Sequence, residues 1–398
     1  MQPSSSPYPH GIRRMSELPP HDRGDTVPVE HEPGTNISRP APAGRVAAAH
    51  SSPHRKGKGH ASSVELRLRC GLMKILVTGG AGFIGSHYVR TMLDGGYPGF
   101  EDAHVTVLDA LTYAGNRDNL PASHPRLTFT HGNILDRELL GGVLDGQDVV
   151  VHFAAESHVD RSIASGAAFV RTNVEGTQAL LEACVTAGVQ RVVHISTDEV
   201  YGSIEEGVWT EESPLLPNSP YAASKASSDL IALAYFRTHR LDVSVTRCSN
   251  NYGPYQHPEK FIPLAVTNLL EGRPIPVYGD GGQIREWLHV DDHCRAVQRV
   301  LAQGRAGEVY NIGAGTAVAN LQLAHRLAKL CGAGPEMIRH ITDRKGHDRR
   351  YALDQGKIER ELGHRPLTGF DTGLAQTVAW YRDNPRWWKP VKDSGGRP

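Results

Sequence analysis

From Met73 onward, short apolar runs alternate with stretches whose apolar residues recur at helical spacing. The runs are Ile75–Thr78, Val105–Leu108, Leu127–Thr130, Val149–Phe153, Val192–Ser196 and Val243–Arg247. Most are near-continuous in Val, Ile and Leu, the pattern of a strand covered on both faces. Helical patterns lie between them, as at Gly82–Leu93, Ala168–Ala187 and Tyr221–His239. This alternation predicts an α/β fold with a doubly wound parallel sheet, and the right-handed crossover rule places helices on both faces. After Ser249 the rhythm becomes irregular and turn-rich, as at Tyr252-Gly253-Pro254 and Tyr278-Gly279-Asp280-Gly281-Gly282. A first domain mainly over 73–248 is therefore expected. A smaller mixed α/β domain should occupy mainly 249–390, with some chain crossing back to the sheet. Residues 1–72 carry no hydrophobic period and are rich in Pro, Ser, His, Arg and Gly, so they read as a disordered extension.

Composition narrows the classes. The 398 residues balance 43 basic against 43 acidic side chains, so charge gives no case for nucleic-acid or membrane partners. No apolar run is long enough to span a bilayer. The five cysteines (Cys70, Cys184, Cys248, Cys294, Cys331) form no CxxC pair, which argues against a zinc site or a disulfide framework. Without a recognisable secretory signal, the cytoplasm is the expected address.

The first strand runs into Gly79-Gly80-Ala81-Gly82-Phe83-Ile84-Gly85, where Gly79, Gly82 and Gly85 form a GxxGxxG pattern opening a helix. Glycines there permit a tight turn and close approach to a pyrophosphate, and the helix N-terminus supplies amide donors. Asp109 closes the second strand, where a carboxylate binds ribose hydroxyls and repels a 2′-phosphate, so NAD is favoured over NADP. Asn133 and Ile134 end the third strand, where an adenine contact is expected, and Ala154 and Ala155 follow the fourth, where small residues let a cofactor lie close.

Tyr221 and Lys225 form a YxxxK pair whose i, i+4 spacing puts both on one helix face. A nearby ammonium is expected to lower the tyrosine's pKa, so that the phenolate accepts a hydroxyl proton. Ser196-Thr197 ends the fifth strand and is followed by Asp198-Glu199, two adjacent carboxylates beside the expected nicotinamide. Such a pair suits a reaction that needs one more general acid and one more general base than Tyr221 provides. His152 and His158 have no third ligand at suitable spacing, so no metal is expected, and His152 reads as a buried hydrogen-bonded histidine.

These motifs resemble the extended short-chain dehydrogenase/reductases over Met73–Trp387. Four stretches look like those of the dTDP-glucose 4,6-dehydratases: Leu111–Asn116, Ala154–Ser162, Arg247–Gln256 and Gly346–Tyr351. The resemblance implies dTDP-glucose as substrate, Asp198 as the acid for the leaving hydroxyl, Glu199 as the base at C5, and Thr197 as a partner of the C4 oxygen. It further implies Arg285, Arg344 and His347 as phosphate ligands, and Ser157, Asn250, Glu259, Lys260 and Asn311 as substrate contacts. Tyr278 is placed to stack on the base or to serve the core. A homodimer joined through the Tyr221–His239 and Ala168–Ala187 helices is implied as well. Because such enzymes begin shortly before the first strand, Met73 is also expected as an initiator. The alternatives are a UDP-glucose 4,6-dehydratase, a 4-epimerase or a decarboxylase of the same superfamily, and a non-catalytic NAD-binding partner protein.

Overall fold

The computed structural model describes residues 72–394. The expected extension up to residue 71, with Cys70, lies outside them.

The first half of the chain contains β1 (Lys74–Thr78), α1 (Phe83–Leu93), β2 (His104–Asp109), β3 (Leu127–His131), α2 (Arg137–Leu144), β4 (Val149–His152), α3 (Val159–Ala164), α4 (Thr177–Ala187), β5 (Arg191–Thr197), α5 (Pro220–His239) and β6 (Val243–Cys248). The second half contains β7 (Asn250–Tyr252), α6 (Phe261–Leu270), β8 (Ile275–Tyr278), β9 (Ile284–His289), α7 (Val290–Gln303), β10 (Val309–Ile312), β11 (Ala317–Ala319), α8 (Asn320–Leu330), β12 (Ile338–Ile341), α9 (Gly356–Leu362), α10 (Phe370–Asp383) and α11 (Pro385–Ser394).

Seven strands form a wholly parallel sheet in the order β10-β6-β5-β4-β1-β2-β3. Side chains alternate along each strand, so each strand feeds two cores. Ile75, Val77, Val105 and Val107 pack with Tyr88, Val89 and Met92 of α1 and with Val297, Val300 and Leu301 of α7. On the other face, Leu76, Leu108, Val150, Val192, Val243 and Val245 pack with Leu140, Leu144, Leu180, Leu181 and Ala232. Fully burying each such side chain stabilises by roughly 1.5–3 kcal/mol.

The chain crosses back after residue 248. β10 pairs with β6 in the register Val309↔Val245 to Ile312↔Cys248, and α7 covers the face shared with α1. The remainder builds a three-stranded sheet, β11-β9-β7, and a two-stranded sheet, β12-β8. Their core includes Ile262, Val266, Trp287, Leu327, Leu374, Tyr381 and Trp388.

The helix expected over Ala168–Ala187 is not one regular α-helix. A short turn, Ala167–Phe169, leads into π-helical Val170–Gly176 before α4 begins. Asn173, on that wider turn, is 1% exposed. Its Oδ1 accepts from the Glu156 N–H at 2.8 Å, and its Nδ2 donates to the Glu156 carbonyl at 3.0 Å and to Ser224 Oγ at 2.8 Å. Side-chain bonding of this kind leaves no periodicity in the sequence, and π turns are frequent at functional sites.

Candidate active site

The strand order reverses between β1 and β4, and a cavity of about 300 Å³ opens at the carboxyl ends of the strands there. Every expected site residue lines it except Arg285, Asn311, Arg344 and His347.

β1 ends in the glycine turn. Gly79 has φ +68°, and a Cβ there would fall 2.6 Å from the Ala154 nitrogen. A Cβ on Gly85 would fall 2.3 Å from the Gly79 carbonyl oxygen. Gly82 caps α1 in extended conformation without a side-chain cap, so the amides of the first turn have no side-chain acceptor from it. Phe83 and Ile84 continue that wall. Asp109 has two duties. Its Oδ2 accepts from the Ala81 N–H and its Oδ1 from the Leu111 N–H, each at 2.8 Å, while the residue faces the cavity. Burial raises its carboxyl and the two amides pull it back. Asn133 uses its Oδ1 on the Leu135 N–H at 2.9 Å. Bare glycine backbone, a free helix start and a strand-end carboxylate fit the pyrophosphate and ribose of a dinucleotide.

The reactive side chains gather where β5 meets α5. Ser219 caps α5, its Oγ accepting from the Ala222 N–H at 3.1 Å, and Pro220 opens the first turn. This fixes Tyr221 and Lys225 inward, 9% and 4% exposed. Lys225 Nζ donates to the Ile195 carbonyl at 2.7 Å, and burial draws its ammonium down to about 8. The expected lowering of Tyr221 by Lys225 is not what the fold produces. Burial, with the nearby Glu199, Cys248 and Asp198, pushes the phenol well above its usual range, and a hydrogen bond with Thr197 pulls the other way.

Thr197 caps the turn Asp198–Tyr201, accepting from the Glu199 N–H at 3.3 Å and donating to Asp198 Oδ1 at 3.2 Å. The two acids occupy different fields. Asp198 is 2% exposed and its Oδ2 has no hydrogen-bond partner among the described residues. Burial, then Glu199 and Glu286, pushes its carboxyl well above the usual range. Burial also raises Glu199, but Arg285, Lys260 and Arg344 oppose the rise. Burial, reinforced by the neighbouring carboxylates, thus favours a proton on Asp198, whereas three cations partly offset the same burial at Glu199.

On the far wall, Lys260 Nζ donates to the Ser157 carbonyl at 2.7 Å. Glu259 sits 3.5 Å from Arg161 and 3.7 Å from His158. Among the described residues, Asn250 Oδ1 and Glu259 Oε1 are buried without a hydrogen-bond partner of normal geometry.

Four expected ligands stand elsewhere. Asn311 is fully buried, accepting from the Tyr201 hydroxyl at 2.8 Å and donating to the Trp209 carbonyl at 3.1 Å, so its amide is spent on the core. Arg285 lies behind the acids, donating to the Asp348 carbonyl at 2.8 Å with its guanidinium over the Tyr351 ring. Arg344 grips Asp160 bidentately at 2.6 and 2.9 Å, and Tyr278 donates to the same carboxylate at 3.2 Å. His347 bonds Asp343 at 2.7 Å. His152 is a core histidine, bonded to Thr78 at 2.6 Å and Thr177 at 3.0 Å.

Residue-by-residue reading of the sequence missed Thr172, Cys248, Ser249, Gln256 and His257, which also line the cavity. Cys248, Ser249 and Gln256 lie inside the Arg247–Gln256 stretch, so the signal was the resemblance and not any residue's own chemistry.

The family model for GDP-mannose 4,6 dehydratase matches residues 76–377. A dTDP-glucose 4,6-dehydratase of Streptomyces niveus is 61% identical over 322 residues, 80% of this chain and 96% of its own length. The chain belongs to the dTDP-glucose 4,6-dehydratase family. A solved dehydratase of this family, DesIV from Streptomyces venezuelae with NAD bound, is 63% identical, with TM-score 0.79, covering 80% of this chain and 100% of its own. A UDP-glucose 4-epimerase from Thermotoga maritima shares the fold at TM-score 0.73 but only 32% identity, covering 79% of this chain and 100% of its own. The fold is thus common to dehydratases and epimerases, and the higher identity lies with the dehydratases.

Proposed function

We propose that this chain is an NAD-dependent lyase that converts dTDP-glucose to dTDP-4-keto-6-deoxyglucose. The observation that carries the reading is the adjacent buried pair Asp198–Glu199, with three cations offsetting burial at Glu199 and two carboxylates adding to it at Asp198, on the wall that also holds Tyr221 and Lys225. Bound NAD takes a hydride from C4 and returns it at C6. The side chains move the protons. Tyr221 would receive the C4 hydroxyl proton as the phenolate, a form that the positive nicotinamide ring of bound NAD would favour over the buried phenol, and Thr197 holds the C4 oxygen. Glu199 removes the C5 proton and returns it to C5 as the hydride reaches C6. Asp198, kept protonated by its surroundings, gives its proton to the C6 hydroxyl, which leaves as water. Lys225 orients the site from the Ile195 carbonyl.

In this reading residues 73–248 mainly hold the dinucleotide and residues 249–390 mainly the nucleotide sugar. Ser157, Asn250, Glu259 and Lys260 face the sugar nucleotide. Arg285 acts through its field on the acids, and Arg344 and His347 stand at the margin. A homodimer through α5 and the helical run before and through α4 is part of the same proposal, since Leu230 and Val170 on those segments are 58% and 56% exposed. So is a cytoplasmic address. Among the described residues no helix is long and apolar enough to cross a membrane.

The test is to mix purified protein with dTDP-glucose, adding no cofactor, and weigh the product by mass spectrometry. Loss of one water without net NADH is expected. Unchanged mass with dTDP-galactose formed would make it an epimerase. No reaction with dTDP-glucose, UDP-glucose or added NAD would refute the enzyme reading.

A further inference from the structure

The glycine loop is held from outside by the C-terminal helix. Asn119, in the short turn Arg117–Asn119, is 2% exposed. Its Nδ2 donates to the Ala81 carbonyl at 2.8 Å, and the Asn116 backbone N–H donates to the same oxygen at 3.0 Å. Ala81 lies between Gly79 and Gly82, and its own N–H is bound to Asp109. The glycine loop, Asp109 and the segment 111–119 are thus one bonded unit around the ribose end of the cavity. On its other side, Asn119 Oδ1 accepts from Trp387 Nε1 at 2.9 Å.

Trp387 belongs to α11, which is anchored in the other core. Trp388 is 2% exposed and donates to the Tyr381 carbonyl at 2.7 Å, and Lys392 bonds Asn268 at 2.7 Å. The Trp387 ring packs edge-on against Trp380 and Tyr255, with centroids 5.2 and 5.4 Å away. Tyr255, at φ +67°, also carries the Arg90 guanidinium of α1 over its ring at 4.2 Å. A second cavity of about 300 Å³ lies between α11 and the segment 111–119, and Ala114, Gly115 and His257 line both cavities.

We propose that α11 is a clasp on the dinucleotide site, with Trp387 a positioning residue that slows NAD release by acting through Asn119. The inference rests on the NAD reading above. For the ribose end to open, the segment 111–119 must swing away from Ala81. With Asn119 bonded on both sides, that motion also breaks its bond to a helix fixed in the second core. One neutral hydrogen bond of this kind corresponds to roughly a five-fold change in rate when it is lost only in the opened state.

The experiment uses the full chain loaded with labelled NAD and chased with excess unlabelled NAD. Trp387→Phe keeps the ring packing and removes the donor. Release about five-fold faster is expected, with a modest fall in melting temperature because buried Asn119 Oδ1 loses its donor. Thr377→Val is the control. It removes a buried bond to the Gly373 carbonyl in the same core without touching Asn119, and should leave release unaltered. Unchanged release in Trp387→Phe would overturn the clasp. So would equal acceleration in Thr377→Val, which would mean general loosening. Unmutated protein that binds no NAD would overturn the cofactor reading, and the clasp with it.

Discussion

Replacing Asp198 by Asn should weaken catalysis and strengthen the fold together. The side chain is 2% exposed, one oxygen has no hydrogen-bond partner, and two carboxylates face it. The folded protein therefore holds a proton there that the unfolded chain releases near pH 4. The sign follows from proton counting. Above pH 4 the folded state binds more protons than the unfolded state, so stability falls as pH rises until the raised folded pKa is passed. Each pH unit in that window costs up to about 1.4 kcal/mol. Asparagine matches the neutral acid in shape, keeps an oxygen for the Thr197 hydroxyl and never ionises. The variant should gain about 0.5–2 kcal/mol, the usual range for relieving a functional strain. Melting curves taken with saturating NAD should show its advantage growing as pH rises above about 4, the range in which the unfolded carboxyl ionises. Product formation should fall by roughly 10²–10⁴, the span ascribed to one general acid. An advantage that is flat with pH, or a variant that melts lower than the parent, would refute the assignment of a buried protonated acid.

Glu199→Gln should leave C4 oxidation partly possible and block C5 deprotonation, so absorbance of reduced nicotinamide accumulates without loss of water; full turnover would remove Glu199 as the base. Tyr221→Phe should slow the first reduction of NAD itself, and unchanged NADH formation would exclude it. Gly85→Ala puts a Cβ 2.3 Å from the Gly79 oxygen, so equilibrium NAD binding should weaken by about 1–3 kcal/mol, as overpacking generally does. His194, held to about 4, and His293, held to about 3, are buried neutral. Unfolded histidine takes up a proton below about pH 6.5, so stability should drop as pH falls from 7 to 5, which thermal melting would record.

The six strands of the first half were legible because most are near-continuous apolar runs and the rest alternate apolar with polar residues, and the glycine turn and YxxxK pair because their spacing alone constrains geometry. β10 was not, since Val309-Tyr310-Asn311-Ile312 lies in the irregular second half and nothing local says that it joins β6. That long-range pairing also sets Asn311 beside Tyr201 and Trp209, to which its amide is bonded. Arg344 and Asp160 are 184 positions apart, so their bidentate pairing leaves no pattern in the chain. The electrostatic split between Asp198 and Glu199 was likewise invisible, because Glu286, Arg285 and Lys260 reach the pair through the fold.

The position of β10 bears on how the chain is born. A ribosome delivers β6 about sixty residues before the strand that must cover its outer edge. During that interval the nascent sheet presents an apolar strand with unpaired amides and carbonyls, the kind of edge that recruits neighbours into aggregates. Cutting the chain after residue 248 should therefore yield inclusion bodies and not a small NAD-binding module.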